Sequence, residues 1–228
     1  MPVGHIVAMG GGHPALDAFL VGLSGSERPR VCFVGTATGD NHSYALGFFA
    51  RFAGLDCVPT WLPLFGVPKR PAADVLADQD VIYVGGGNTA SMLAVWARHG
   101  VDVALRDAWE RGAVLGGPSA GGICWFDSGV TDSFRVELDP IDGCLGFLAG
   151  SFCPHYDSEE RRAPAYRQLI ASARLPAGHA ADDGVGLHFA GTELVEAVTA
   201  RPDASAYRLQ AHDGEATEER IAPRRLGA

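Results

Sequence analysis

The sequence predicts an α/β fold: a doubly wound, mostly parallel central sheet finished by antiparallel strands. Three observations carry that expectation. Short β-branched, apolar runs ending in glycine recur through the first half of the chain, and each is followed by a segment of helical character. From about residue 184 the pattern changes to alternation with a period of two. Near-continuous apolar runs suit strands covered on both faces, and strands alternating with helices imply parallel pairing through crossovers.

In order, the strand-like runs are 4–12, 30–39, 57–65, 81–87 and 113–122, and helical segments follow the first four at 14–23, 41–54, 71–79 and 88–100. The third helix starts after Pro71, and Asn88-Thr89 supplies a cap for the fourth. AGGICWF (120–126) is expected to enter a helix, and 131–150 reads as turn-rich. A polar segment over 155–172 is helical from about Pro164. The runs 184–191, 192–200 and 206–214 read as antiparallel strands, and the tail is expected to fray beyond Ile221. A length of 228 residues without a clear linker is read as a single domain, 1–228, and 47% hydrophobic residues supply its core.

With 18 Lys+Arg against 27 Asp+Glu the net charge is −9, and the basic residues form no stripe to neutralise a phosphate backbone, so nucleic acid is not expected as a partner. The five cysteines show no CxxC spacing and read as buried, reduced thiols of a reducing cytosol. The N-terminal residues lack a charged leader pattern, and no run approaches the ~18 apolar residues of a membrane span. A cytoplasmic protein is expected, with exposed strand edges that leave room for a homodimer.

In open α/β sheets ligands collect at the carboxyl ends of the strands. There Gly117-Pro118-Ser119-Ala120-Gly121 fits G-x-S-x-G, in which a tight strand-to-helix turn exposes a serine hydroxyl. Composition alone yields roughly 0.2 chance matches in a chain like this, so the pentapeptide gains its weight from context. RGAVLGG before it is a good buried strand. A serine needs an imidazole to accept its proton. Of eight histidines, His5 and His188 fall in strands, His42 and His99 on helices, and His13, His179 and His212 in loops. His155 follows an apolar stretch and a proline at a strand-to-loop junction among polar residues, which makes it the candidate base. Two carboxylates compete to orient it, Asp183 and Asp132, the other being left for a supporting or substrate-amine contact.

Gly85-Gly86-Gly87-Asn88 ends a strand but lacks the third glycine of a dinucleotide fingerprint. Its bare amides, with that of Ala120, are better suited to an oxyanion, and Gly86 and Asn88 are placed among substrate-binding residues. Gly10-Gly11-Gly12 reads as a tight turn, with a second approach surface as the alternative. HExxH is missing, no His/Cys pair has ligand spacing, and neither a metal nor a cofactor is expected.

IYVGGGNTASML (82–93), GGPSAGGICWF (116–126), VTDS (130–133) and FCPHYDSEERR (152–162), in that order and spacing, resemble the peptidase E family of serine peptidases, the aspartyl dipeptidase group to which cyanophycinase is related. The resemblance is specific over about residues 81–190 and general before that. It implies a flavodoxin-like or class I glutamine-amidotransferase-like three-layer α/β sandwich, Ser119 as nucleophile, His155 as base, and the Gly87 and Ala120 amides as oxyanion donors. It also implies an acid at Asp183, where the aspartyl dipeptidases carry glutamate, and a further acid at Asp132. An aspartate is one methylene shorter, so its loop must come closer to His155.

By the same resemblance Arg162 stands where a guanidinium recognises a substrate side-chain carboxylate, although the loop after His155 is shorter here. The alternative for Arg161 and Arg162 is pairing with Glu159 and Glu160 on a solvated face. The expected activity is hydrolysis of short peptides through an acyl-enzyme, with a preference for N-terminal Asp. A related amide hydrolase of broader or β-aspartyl specificity and a catalytically silent binding homologue are the alternatives.

Overall fold

The structure, a computed structural model, describes residues 3–227. Its strands and helices follow the chain as β1 (His5–Met9), α1 (Pro14–Gly22), β2 (Arg30–Val34), α2 (His42–Phe52), β3 (Val58–Trp61), α3 (Ala72–Ala77), β4 (Val81–Val84), α4 (Thr89–His99), α5 (Val101–Glu110), β5 (Val114–Pro118) and α6 (Ala120–Ile123). There follow β6 (Phe126–Thr131), β7 (Asp139–Asp142), β8 (Leu148–Cys153), α7 (Arg162–Ala171), β9 (Gly178–Ala181), β10 (Val185–Ala190), β11 (Glu193–Thr199), β12 (Ala206–His212), β13 (Glu215–Ile221) and β14 (Arg224–Arg225).

The eight-stranded central sheet has the order β14-β11-β10-β1-β5-β4-β2-β3. β1, β5, β4, β2 and β3 run parallel, as the glycine-ended apolar runs predict, and β10 pairs antiparallel with β1 and β11. One face is covered by α1 and α2, whose Leu16, Leu20, Phe48 and Phe52 pack on Val7, Val31 and Val114. Against the other face lie α3, α4 and α5, through Leu76, Trp96 and Leu105, together with a second sheet. The mixed α/β class and mostly parallel central sheet are those expected.

Of that second sheet, of order β13-β12-β9-β8-β6-β7, the sequence reveals only the run at 206–214, which forms β12, and the strand end before His155, which is β8. The segment 131–150 holds β7 and the start of β8 rather than turns alone, and α6 lasts only four residues before the chain re-extends at Phe126. β6, β8 and β9 are parallel, while β7, β12 and β13 join antiparallel. His179 lies in β9 and His212 ends β12, not in loops. The tail is ordered beyond Ile221, because Arg224 and Arg225 pair with Val198 and Thr199; Ala228 lies outside the described residues. α5, a helix not expected, follows α4 directly through the left-handed Gly100 (φ 65°). Asn88 caps α4, its Oδ1 accepting from Ser91 N at 2.8 Å.

Cys32, Cys57, Cys124 and Cys153 are buried, Cys144 is half-buried, and all five are free thiols. Burial pushes the Cys32 and Cys153 thiols up to about 12, which keeps them protonated and inert. Among the described residues no helix is long and apolar enough to cross a membrane.

The two sheets meet through aromatic side chains. Phe126 of β6 is fully buried, stacks on Phe152 of β8 (centroids 5.1 Å apart) and meets Phe189 of β10 edge-on at 5.8 Å. Phe126→Ala is therefore expected to cost about 3–5 kcal/mol, read as a lowered urea midpoint. An unchanged midpoint would contradict this packing.

Candidate active site

The site lies where the carboxyl ends of parallel strands from both sheets converge. From the central sheet, β5 leads into Ser119, β4 into Gly85-Gly86-Gly87 and β1 into Gly10-Gly11-Gly12. From the second sheet, β6 leads into Asp132, β8 through Pro154 into His155, and β9 into Asp182-Asp183.

Ser119 has φ 58° and ψ −117°, a backbone state that costs energy for any side-chain-bearing residue. The cause is the close approach of the turn to β4. A Cβ on either Gly117 or Gly121 would collide with the Val84 carbonyl oxygen, so the G-x-S-x-G glycines bracket one backbone atom. Ser119 N donates to Met9 O at 3.2 Å, and Ser119 O accepts from Gly122 N and Ile123 N, which closes the turn. Gly86 lies beside the hydroxyl: a Cβ there would stand 3.2 Å from Ser119 Cβ and 3.7 Å from its Oγ. Gly85 N and Asn88 N are bound by Val34 O and Ala37 O, whereas Gly87 N and Ala120 N donate to no protein group among the described residues. Free amides flanking a serine hydroxyl suit a developing negative charge.

His155 also has positive φ, 53°. Its Nδ1 lies 2.6 Å from Asp183 Oδ1, which fixes Nδ1–H as donor and leaves Nε2 as the free nitrogen. Several contacts hold Asp183. Its N–H donates to Asp157 Oδ1 at 2.8 Å, and Arg201 Nη1 bridges Asp157 Oδ2 (2.7 Å) and Asp183 O (2.9 Å). Gly11 pairs with it as an isolated bridge, and a Cβ on Gly11 would collide with Asp183 Oδ1. A Cβ on Gly10 would meet the Ala181 and Asp182 carbonyls. The first glycine cluster is thus the place where the Asp183 loop packs on the end of β1. Of the two competing carboxylates, Asp183 is the one on the His155 ring.

Two recesses flank Ser119. One, of about 400 Å³, is lined by Ser119, His155, Gly86 and Gly87 and extends over His13, Tyr83 and Arg51. The other, of about 280 Å³, is lined by Ser119, Gly87, Asn88, Asp132, Glu159 and Arg162. Asp132 faces this second space and makes no hydrogen bond to His155. The Asn88 side chain is taken up by its capping bond and by donation to Ser133 O at 2.9 Å, so its part in the recess is to shape the wall. Arg162 does pair with Glu159, Nε to Oε2 at 2.7 Å, but not on a solvated face: it is 3% exposed, and Nη1 donates to Val130 O at 2.9 Å. Arg51 and Asp17 carry only a faint sequence signal, a lone charge inside each of two otherwise apolar helices, and Tyr83 of β4 carries none.

A larger cavity, about 830 Å³, opens elsewhere beside His179, Asp127, Arg208 and Glu219. Burial pushes His179 down to about 4, so it is neutral at pH 7, and no serine hydroxyl stands with it. The smaller recesses hold the converging chemical groups. No cluster of His, Cys, Asp and Glu suited to a metal ion occurs among the described residues.

The same architecture is found in solved structures. A peptidase from an acI-B1 actinobacterium superposes with a TM-score of 0.73 at 17% identity, covering 97% of this chain and 95% of that one. A putative peptidase E protein from Listeria monocytogenes EGD-e gives 0.58 at 16% identity, covering 96% and 100%. These likenesses define the fold, a mixed α/β sandwich shared with peptidase E proteins. The particular family follows from sequence. Residues 6–197 match the model of peptidase family S51, and the chain is 46% identical over 230 residues to the uncharacterized peptidase YgaJ of Bacillus subtilis (strain 168), covering 98% of this chain and 99% of that protein. The chain belongs to peptidase family S51 and at that level is a peptidase.

Two stability predictions follow from this geometry. Gly117→Ala is expected to lose about 3 kcal/mol or more in thermal unfolding, because the obstacle is backbone, whereas Gly22→Ala, with open space around it, should be neutral or slightly stabilising. Equal effects would refute the bracketing of Val84. Asp182, beside the acid on His155, is buried, and burial pushes its carboxyl up to about 6 although Ser205 N donates to it at 2.7 Å. Its folded pKa lies above the unfolded one, so ionisation costs stability as pH rises from about 4 through 6. Asp182→Asn should therefore gain about 1–2 kcal/mol at pH 8 and almost nothing at pH 4. A gain independent of pH would contradict the assignment.

Proposed function

We propose that this S51 peptidase is a serine-type dipeptidase acting on short peptides with a free amino terminus, and that residues 1–228 form its single catalytic domain. The observation that carries the reading is the His155 imidazole, held through Nδ1 by Asp183, in the recess that contains Ser119 on its strained turn. In this reading Nε2 takes the proton of Ser119 Oγ as the oxygen attacks the scissile carbonyl. The Gly87 and Ala120 amides receive the oxyanion. The imidazolium then protonates the leaving amine as the C–N bond breaks, and water, deprotonated by the same nitrogen, releases the acyl group.

Asp132 and Glu159 outnumber Arg162 in the second recess, a balance that suits the substrate ammonium. Arg162 already shares its Nε with Glu159, which supports acceptance of an N-terminal Asp without requiring it. Small recesses on either side of the nucleophile favour dipeptides over long chains.

Asp-X, Ala-X and β-aspartyl dipeptides assayed side by side test the reading. Asp-X and Ala-X should both be cleaved. Ser119→Ala should remove nearly all turnover, and Asp183→Asn should lower kcat by roughly 10³–10⁴ while leaving the fold intact. Ser119→Ala cleaving at the original rate, or a folded protein that resists labelling by a serine-directed phosphonate, would sink it.

A further inference from the structure

The recess shared by Ser119 and His155 extends to a charged group for which the chemistry above has no use. Arg51, on α2, lines it together with Tyr83 of β4, and Phe33, Phe48 and Tyr44 complete an aromatic wall. The guanidinium is held from below. Nε donates to Asp17 Oδ2 at 3.0 Å, Nη2 donates to the Tyr83 hydroxyl at 3.2 Å, and the cation stands 5.7 Å from the Tyr83 ring centroid. Asp17 is 2% exposed, and its Oδ1 has no partner among the described residues. Burying such a carboxylate is costly, and its one ionic contact fixes the arginine. Nη1 has no protein partner among the described residues, and 43% of the Arg51 side chain remains exposed. The Tyr83 hydroxyl lies close to the nucleophile turn, since it and Pro118 Cγ both stand within 3.8 Å of the point where a Cβ on Gly12 would be.

We propose that Arg51, positioned by Asp17 and Tyr83, binds the α-carboxylate of the leaving amino acid, and that the aromatic wall beside it takes an apolar side chain on that residue. The inference rests on the dipeptidase reading for its direction. The imidazole that protonates the leaving amine must stand on the leaving-group side of Ser119, and His155 lines the Arg51 recess rather than the Asp132 recess. The acidic recess opposite suits the substrate ammonium. A zwitterionic dipeptide thus finds a carboxylate-rich space at one end and a pre-oriented guanidinium at the other, a charge pattern that a longer peptide, with its carboxylate farther along the chain, does not match.

Binding to Ser119→Ala protein, where nothing turns over, provides the test. Calorimetric titration with Ala-Phe and with Ala-Phe-amide should show the free acid binding roughly 10- to 100-fold more tightly, as a charge-assisted pair implies. Adding Arg51→Gln should bring the two ligands within about twofold. Because that change leaves Asp17 buried and unpaired, the combination of Asp17→Asn with Arg51→Gln is measured beside it, with circular dichroism as the check on folding. Equal binding of acid and amide, no binding of either, or a preference that survives in the folded Arg51 variants overturns the inference. Loss of the dipeptidase reading is seen separately, as absence of turnover in the unaltered enzyme. An acid-over-amide preference that disappears with Arg51 would still uphold carboxylate recognition in that case.

Discussion

The carbonyl oxygen of Val84 is the constraint on which the site geometry depends. It ends β4 and is approached so closely by the turn after β5 that Gly117 and Gly121 can carry no side chain. Once those two positions are fixed against β4, the three residues between them have little choice of backbone conformation, and Ser119, the middle one, takes φ 58°. The same approach brings Gly86 against the serine side chain, and the unpaired amides of Gly87 and Ala120 belong to the residues next to Gly86 and to Ser119. Strain at one residue is offset by the registry of β4 and β5, where Val81, Ile82 and Tyr83 pair with Val114, Leu115 and Gly116. Hydroxyl position and amide position are therefore consequences of one close contact.

The second sheet supplies the groups that the central sheet lacks. Its three adjacent parallel strands, β6, β8 and β9, lead at their carboxyl ends into Asp132, His155 and Asp183. Parallel neighbours present their carboxyl ends on one edge, so three residues far apart in sequence are collected by strand geometry. The aromatic contact between Phe126, at the amino end of β6, and Phe189 packs the second sheet on the central one. Acid–base groups and nucleophile thus come from different sheets, and their separation depends on packing between them.

Much of this was legible in the sequence, and the limits have physical causes. The parallel strands of the central sheet are buried on both faces and read as apolar runs ending in glycine; the G-x-S-x-G turn and His155 after its proline stand out for the same local reasons. Most of the second sheet is hidden because FDSGVT and DPID carry Gly, Asp and Pro, lack a clean alternation, and resemble turns until neighbours pair with them. α5 is hidden because Gly100 reads as an end and not as a join between two helices. Arg162 reads as solvated because it stands in a charge run, yet it is buried with its Nη1 donating to the Val130 carbonyl, a contact no local pattern reveals. Whether Asp183 or Asp132 faces His155 is likewise a matter of tertiary geometry.

The approach of Asp183 to the imidazole depends on the first glycine cluster. The peptidase E resemblance sets glutamate at the position of Asp183, and an aspartate there must gain a methylene's length from the backbone. Gly10 and Gly11 provide it: with no Cβ at either, the Ala181–Asp183 loop packs directly onto the end of β1, near enough for Asp183 Oδ1 to reach Nδ1 at 2.6 Å. Asp157 and Arg201 then hold the loop from outside, one receiving the Asp183 N–H and the other donating to its carbonyl. A glutamate placed on this backbone would overreach the ring or force the loop away from Gly11. The glycines that look like a generic turn in the sequence thus let the Asp183 loop come close to the end of β1, where a short acid reaches the imidazole.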